Sequence, residues 1–305
     1  LFSAALSVRF LVRVGVAIGQ WCGDKSFHTA FFTSFDPMHH AYLAMYTLLV
    51  VAFVYNEMLH YRTSLPRWMR VSLCVVAGLM LAYTYCIQSR AGVLCMAVLV
   101  VGLLLHLTLH RQYRRLGLCL LAGFALLSVG AYFASSNRLS TTINEVSSGD
   151  TSDVRFDIWE NALLTCGQNL PLGVGVGDRM DALAANYPDS TLYPDAQLKQ
   201  KHVYNPHNQY LDTLLTLGLP GIALLLALLV WPCWRWYRGH RGEAYYAYLL
   251  PLVLIMALSF PFESILERQM GILFFCYFYC IFFMEPNDYG YRKSQEIPGA
   301  TLPQG

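Results

Sequence analysis

The chain has 305 residues, of which 56% are hydrophobic and 13% are charged, and its mean hydropathy is +0.41. Soluble domains carry about twice this share of charged residues, so a soluble globular protein is excluded. The formal net charge of +2 does not by itself indicate a partner, because in a membrane protein the position of each charge matters. The nine cysteines lie mostly in apolar runs without a CxxC pair, so we interpret them as small hydrophobic residues.

Hydrophobic segments of the right length for membrane helices recur along the chain. A hydrocarbon core about 30 Å thick needs about 20 apolar residues per helix. The stretch from Val71 to Leu109 is too long for one span, and its polar interruption Gln88-Ser89-Arg90, followed by Gly92, predicts a turn. The predicted spans are 41–59, 71–87, 91–109, 116–134, 208–231, 244–260 and 270–284.

Basic residues in the connections predict the orientation of these spans. Lys and Arg concentrate in short cytoplasmic loops of membrane proteins. Every second connection here is basic: Arg62, Arg67 and Arg70; Arg111, Arg114 and Arg115; Arg235, Arg238 and Arg241; and Arg292 with Lys293. The alternate connections, including the long segment between the fourth and fifth spans, are therefore expected outside.

These patterns predict an all-α polytopic membrane protein with five regions. Residues 1–40 form a truncated N-terminal span or an interfacial helix plus an outer loop, 41–134 four transmembrane helices, 135–205 a large outer loop, 206–284 three transmembrane helices and 285–305 a cytoplasmic tail. Arg9 and Arg13, one helical turn apart in an apolar run, leave the choice for the first region open. The chain begins with Leu1 and shows no signal peptide, so we expect an N-terminal part to be missing.

The sharpest chemical motif is the run from Asn205 to Leu211 at the start of the fifth span. Asn205 is a good N-cap and Pro206 a good first helical residue, which predicts a helix start here and puts His207 in its first turn. The helix dipole disfavours an imidazolium at that position, and a neutral imidazole at the outer surface can act as a general base. The alternative is a polar interfacial residue that merely helps to cap the helix.

A second candidate is Arg155, in a segment where Ser152 or Asp153 can cap a helix. An anion is favoured at a helix start, so a phosphate bound there and to Arg155 is one interpretation. The simpler alternative is a local ion pair with Asp153, Asp157 or Glu160.

Two further arginines fall in outer connections. Arg90 lies in the tight turn between two spans, where an arginine beside hydrocarbon is by default a functional candidate and otherwise reaches the lipid headgroups. Arg268 lies beside Glu263 and Glu267, for which an intramolecular ion pair is the favoured interpretation.

Three other patterns are weaker. Gly173-Val174-Gly175-Val176-Gly177 has the wrong spacing for a dinucleotide-binding fingerprint and is interpreted as a flexible hinge. Asp36, His39 and His40 can in principle bind a metal, but more often such residues cap a helix. Gly218-Leu219-Pro220-Gly221 predicts a kink in its span.

With these residues in view, the chain resembles the O-antigen ligase family and the related O-antigen polymerases, which are polytopic enzymes of the bacterial inner membrane. The resemblance rests on the order of short motifs: Ser89 to Gly92, Val154 to Trp159, Pro171 to Gly175, and Pro206 to Leu211 ahead of Gly218 and Gly221. It departs from the family at the N-terminus, where more spans are usual.

The resemblance implies glycan transfer on the periplasmic face of a helical bundle similar to other lipid-linked-sugar glycosyltransferases (GT-C-like). The donor would be a glycan on undecaprenyl diphosphate and the acceptor a sugar hydroxyl of the lipid A core, within membrane lipids and without nucleic acid. His207 would activate the acceptor, and Arg90 and Arg155 would hold the diphosphate. Arg268, Glu263, Asn208 and Tyr210 are secondary candidates. No cofactor and no metal are expected, because arginines can neutralise the leaving group.

Other functions remain open at this point. A polymerase that joins one lipid-linked glycan to another, or a ligase that modifies protein, would use the same donor chemistry. A transporter or flippase for lipid-linked glycan belongs to a different class, and such proteins place ionisable groups near the middle of the membrane. Here the sequence predicts all four candidates on the outer side of the membrane, namely Arg90, Arg155, His207 and Arg268. This distribution favours an enzyme over a transporter.

Overall fold

The computed structural model describes residues 2–21, 39–61, 63–87, 89–111, 113–123, 154–186, 205–238 and 246–283, and at Arg90 and Arg155 it describes the backbone alone. These residues form helices and connecting turns, and none of them forms a strand. The helices are α1 (Phe2–Trp21), α2 (His40–His60), α3 (Arg67–Ile87), α4 (Arg90–Leu109), α5 (Val154–Asn169), α6 (Arg179–Asn186), α7 (Gln209–Arg238), α8 (Tyr246–Ser259) and α9 (Gln269–Phe283). Residues 114–123 are also helical, and a 3₁₀ turn covers Ile265–Glu267.

Among the described residues, four helices are long and apolar enough to cross a membrane: α2, α3, residues 91–109 of α4, and α7. The apolar helices α8 and α9 are shorter, with 14 and 15 residues. The predicted fold class, a helical polytopic membrane protein, is confirmed. Of the predicted regions, 22–38, 124–153, 187–204, 239–245 and 284–305 lie outside the described residues, including the second half of the fourth predicted span and the start of the sixth.

The core of the bundle is built around α2, whose side chains are buried along almost its whole length. Leu48 and Leu49, both fully buried, belong to a cluster that joins α2 to α4, α7, α8 and α9. A second cluster joins α2 to α1 and α3, where the ring of Phe10 lies 4.9 Å from that of Tyr83. Large apolar side chains such as Val75 and Leu224 remain exposed on the outer faces, as expected of helices surrounded by lipid.

The helices alternate in direction, so that the starts of α2, α4, α7 and α9 meet the ends of α3 and α8 at one end of the bundle. At this end the Tyr46 hydroxyl donates to the carbonyl of Met270, and the Gln209 amide donates to the carbonyl of Phe260 over 2.8 Å. At the opposite end Tyr248 donates to Glu57 over 2.8 Å. We call the first of these the site end.

Helices α5 and α6 pack on the first part of α7 at the site end. Ala162 and Cys166 of α5, Leu183 of α6 and Leu215 of α7 form a small buried cluster. This contact attaches the described part of the large loop to the membrane bundle.

The predicted kink in α7 is confirmed at Gly218, whose φ of 63° and ψ of −153° are not helical. The loop after α5 fills the break: the amides of Val174 and Gly175 donate to the carbonyls of Leu215 and Thr216, over 2.8 and 3.0 Å. The interpretation of this glycine run as a flexible hinge is therefore wrong. Gly173 and Gly218 approach so closely that a Cβ on Gly218 would lie 2.0 Å from the carbonyl oxygen of Pro171.

Candidate active site

The start of α7 is capped by Asn208, one of the secondary candidates. Its Oδ1 accepts hydrogen bonds from the amides of Tyr210 and Leu211, over 3.0 and 3.2 Å. The predicted cap at Asn205, with His207 inside the first turn, is therefore wrong, because the helix begins only at Gln209. His207 precedes the cap, so the argument from the helix dipole does not apply to it as stated.

The backbone of His207 adopts a left-handed conformation, with φ at 47°, which is uncommon for a residue other than glycine. The Oδ1 atom of Asn205 holds this turn by accepting the His207 amide over 2.9 Å and the Ser264 hydroxyl over 2.9 Å. Strained backbone of this kind persists only where its surroundings fix it, and it concentrates at functional sites. Here it directs the imidazole away from α7 and towards the connection between α8 and α9.

The imidazole of His207 contacts Glu263 in that connection. Nδ1 lies 3.3 Å from Oε1 of the carboxylate, and the second carboxylate oxygen lies 3.8 Å from Nε2 of His39. The Glu263 side chain is 7% exposed, whereas that of His207 is 36% exposed. A buried acid therefore lies behind a histidine that is open to solvent.

Glu263 is ionised in this setting. Burial raises its pKa, but the hydrogen bond with His207 and the charges of His39, His207 and Arg268 lower it by more, so that the pKa lies below its ordinary value. A carboxylate only accepts hydrogen bonds, so Nδ1 of His207 carries the proton. In the neutral form of the ring the lone pair is then on Nε2, and a carboxylate behind Nδ1 stabilises the imidazolium that forms when Nε2 takes up a proton.

An ion cluster of Arg179, Asp212 and Glu267, in which Asp212 is buried and Glu267 is exposed, supports this loop from the side of α6. Arg179 donates to Oδ1 of Asp212 over 2.6 Å and to Oε1 of Glu267 over 2.5 Å, and its side chain is 12% exposed. The other oxygen of Glu267 accepts a hydrogen bond from Asn205. Burial lowers the pKa of Arg179, but the two carboxylates raise it by more, so the guanidinium stays charged. The cluster thus links α6, α7 and the α8–α9 connection to the residue that fixes His207.

Helix α5 lies against the same loop. The indole of Trp159 donates to the carbonyl of Pro206 over 2.8 Å. Arg155 lies near the described start of α5, four residues before Trp159, and the predicted caps Ser152 and Asp153 lie outside the described residues. Because positions four apart lie on one face of a helix, the Arg155 position lies one turn beyond this contact.

Arg90 is the first residue of α4, after the N-cap Ser89, whose Oγ accepts the Gly92 amide over 3.3 Å. Two residues further on, α4 packs closely on the first turns of α2: a Cβ on Gly92 would lie 2.6 Å from that of Ala44. His39 caps α2 through its Nδ1, in agreement with the capping interpretation. Arg90 therefore begins its helix at the site end.

The remaining candidates, Arg268 and Tyr210, take different positions. Arg268 is exposed, and among the described residues it forms no ion pair with Glu263 or Glu267, which pair with His207 and Arg179 instead. The charge of Arg268 nevertheless acts on Glu263. Tyr210 is turned into the bundle, where its hydroxyl donates to the carbonyl of Ala257 over 3.0 Å, so its described contact is structural.

Sequence reasoning missed Arg179 and Asp212, and it did not connect His39 with Glu263. One signal was available: Asp212 is a carboxylate in the first turn of a predicted span, and an ionisable residue in such a position marks a partner or a site. The partner itself is 33 residues away in the chain. No local pattern pairs the two.

The fold and this site define a class: a helical membrane protein with a histidine–carboxylate pair at one end of the bundle, beside helix starts that carry arginines. A family model described as O-antigen ligase matches residues 73–226, half of the chain. The chain belongs to the O-antigen ligase family. The matched region contains Arg90, Arg155, Arg179 and His207, whereas Glu263 lies beyond it. A comparison with curated proteins found no match.

Membership of this family supports a glycan ligase or polymerase type of activity in lipopolysaccharide biosynthesis, which acts on lipid-linked glycan at a membrane.

Proposed function

We propose that this protein is an O-antigen ligase, which transfers a glycan from undecaprenyl diphosphate to a sugar hydroxyl of the lipid A core on the periplasmic face of the inner membrane. The pairing of His207 Nδ1 with the buried carboxylate of Glu263, which leaves Nε2 as the base, is the observation that carries the proposal. The orientation follows from the basic residues Arg67, Arg70, Arg114 and Arg115, which lie at the opposite end of the bundle.

In the proposed reaction the acceptor hydroxyl attacks the anomeric carbon of the donor sugar. The new bond joins the acceptor oxygen to that carbon, the bond from the carbon to the diphosphate oxygen breaks, and undecaprenyl diphosphate leaves. The hydroxyl proton moves to Nε2 of His207, and Glu263 stabilises the imidazolium. Direct attack of this kind inverts the anomeric configuration.

Arg90 and Arg155 are proposed to neutralise the charge on the diphosphate. A guanidinium is permanently charged and binds two phosphate oxygens at once, and each of these residues lies in the first turn of a helix, where an anion is favoured. The contact between Trp159 and Pro206 supports this arrangement, because it brings the start of α5 to the His207 loop. These groups supply both the base and the electrostatic stabilisation that the reaction needs.

The lipopolysaccharide of a strain that lacks the gene tests the proposal, analysed on gels together with the pool of lipid-linked glycan. A ligase predicts bare core and full-length glycan accumulating on the carrier lipid, both reversed by the wild-type gene and not by His207→Ala. Core capped with a single repeat unit would identify a polymerase instead.

An unchanged gel pattern would contradict the proposal, and a transporter of lipid-linked glycan is then tested separately. The purified protein in vesicles would then move the lipid-linked glycan across the bilayer without forming a glycosidic bond.

A further inference from the structure

A second concave site lies at the end of the bundle opposite His207. It is a cleft of about 720 Å³ between the end of α2, the start of α3, the end of α4 and the helical residues 114–123. Its walls are mainly apolar and include Met58, Val71, Val75, Leu107 and Leu116. The His207 site and the proposed transfer reaction make no use of it.

Two arginines, Arg67 and Arg70, line this cleft in the first turn of α3. Nε of Arg70 is buried and has no hydrogen-bond partner among the described residues, and none of the described residues that line the cleft is a carboxylate. A buried donor without an acceptor is costly, and more so when it belongs to a charged group. The cleft therefore presents two positive charges, and the described part of the chain provides no hydrogen-bond acceptor for Nε of Arg70.

The cleft has the dimensions of a lipid site. From Arg67 to Val75 the wall follows α3 for eight residues, about 12 Å along the helix axis, which leads from a headgroup position into the hydrocarbon region. Trp68, which is 68% exposed beside Arg67, is typical of a residue at the membrane–water interface. A lipid whose phosphate contacts the two guanidinium groups would thus place an acyl chain along Val71, Cys74 and Val75.

We propose that this cleft binds one anionic phospholipid of the leaflet opposite the His207 site. Arg67 and Arg70 hold the phosphate, and the apolar walls hold part of an acyl chain. The bound lipid holds together the end of α2, the start of α3 and the end of α4 at the membrane face opposite the His207 site. This inference depends on the membrane fold and on the cleft, and it is independent of the proposed glycan transfer.

The first test measures how much the charges of Arg67 and Arg70 contribute to lipid binding. The full chain, purified in detergent, is titrated with phosphatidylglycerol or phosphatidylcholine, and bound lipid is detected by native mass spectrometry. Wild type should retain phosphatidylglycerol in preference to phosphatidylcholine. The double variant Arg67→Gln/Arg70→Gln should weaken phosphatidylglycerol binding roughly tenfold or more, since charge-assisted hydrogen bonds are lost. The matched control is Arg114→Gln/Arg115→Gln, which removes the same charge from exposed positions outside the cleft lining.

The apolar wall is tested separately with both arginines in place. Cys74→Trp fills the cleft and should also weaken binding, whereas Cys119→Trp, at an exposed position outside the lining, should not. Equal losses in the two arginine pairs would mean general attraction to the membrane surface and would overturn the proposal. Competition by glycerol phosphate as effective as that of the intact lipid would also overturn it, because the acyl chain would then contribute nothing.

Discussion

Nδ1 of His207 lies 3.3 Å from Oε1 of Glu263, although the two residues are 56 positions apart and belong to different connections. The His207 side chain is 36% exposed and that of Glu263 is 7% exposed, so the histidine is the accessible member of the pair. The left-handed backbone of His207 and its support by Asn205 bring this contact about. Each part of the arrangement leads to a measurable consequence.

If His207 is the base, His207→Ala should lower the rate of glycan transfer by roughly 10² to 10⁴, which is the usual contribution of a positioned general base. Purified protein is assayed with lipid-linked glycan and core acceptor, and expression and elution volume are compared with wild type. His110→Ala is the matched control, because that histidine is exposed beyond the far end of α4 and should be dispensable. Near-normal turnover of His207→Ala would remove the residue from the mechanism.

Glu263→Gln should destabilise the protein in a pH-dependent manner. The folded-state pKa of Glu263 lies below the ordinary value of 4.5, so its ionised form contributes stability that is present above that value and is lost as pH falls through the folded-state pKa. The melting temperature of the variant should therefore lie below that of wild type at about pH 7, and the difference should shrink as the pH falls below about 4.5. A difference that stays constant with pH would mean that the charge of Glu263 is not what stabilises the loop.

Arg179→Met should destabilise the site end, because it leaves Asp212 and Glu267 without their cation. Breaking a buried ion pair by removing one partner costs about 3–5 kcal/mol. Chemical unfolding of the purified variant measures the loss, with Arg115→Met as the exposed control. In the double variant Arg179→Met/Asp212→Asn the loss should be smaller than the sum of the two single losses. Additive losses would show that the pair is not coupled.

Arg155→Lys should abolish transfer almost as completely as Arg155→Ala. If Arg155 binds the diphosphate as proposed, its planar guanidinium holds two phosphate oxygens, and an ammonium group on a flexible stem does not reproduce that geometry. Transfer rates of the two variants are compared at saturating donor. Rescue by lysine would indicate that only a point charge is needed at this position.

Gly218→Ala should disrupt the junction between the large loop and α7. The added Cβ would lie 2.0 Å from the carbonyl oxygen of Pro171, and φ at this position is 63°, so both contact and conformation oppose the change. We expect a lower melting temperature and loss of activity. Gly78→Ala is the control: a Cβ there meets nothing within 4 Å, and alanine favours the helix.

The membrane fold was predictable from the sequence for a local physical reason. A bilayer requires long apolar helices whose backbone groups bond internally, and this requirement is written in consecutive residues. The long apolar helices α2, α3 and α4 follow from such runs, whereas the turn at Ser89 and Arg90 and the kink at Gly218 follow from local polar, glycine and proline residues. His207 was noticed because a histidine beside Asn and Pro at the start of a span is conspicuous in sequence.

The composition of the site was decided by tertiary structure. The cap at Asn208 in place of Asn205 depends on the Asn205 side chain being engaged by Ser264 and Glu267, which are about 60 residues away in the chain. The role of the glycine run at 173–177 depends on the close approach of Gly173 to Gly218. Pairs such as Arg179 with Asp212 and His207 with Glu263 form because helices of alternating direction meet at one end of the bundle, and their chain separation leaves no periodic signal. The sequence by itself thus determined which segments form long apolar helices, and packing decided which charged and polar residues meet at their ends.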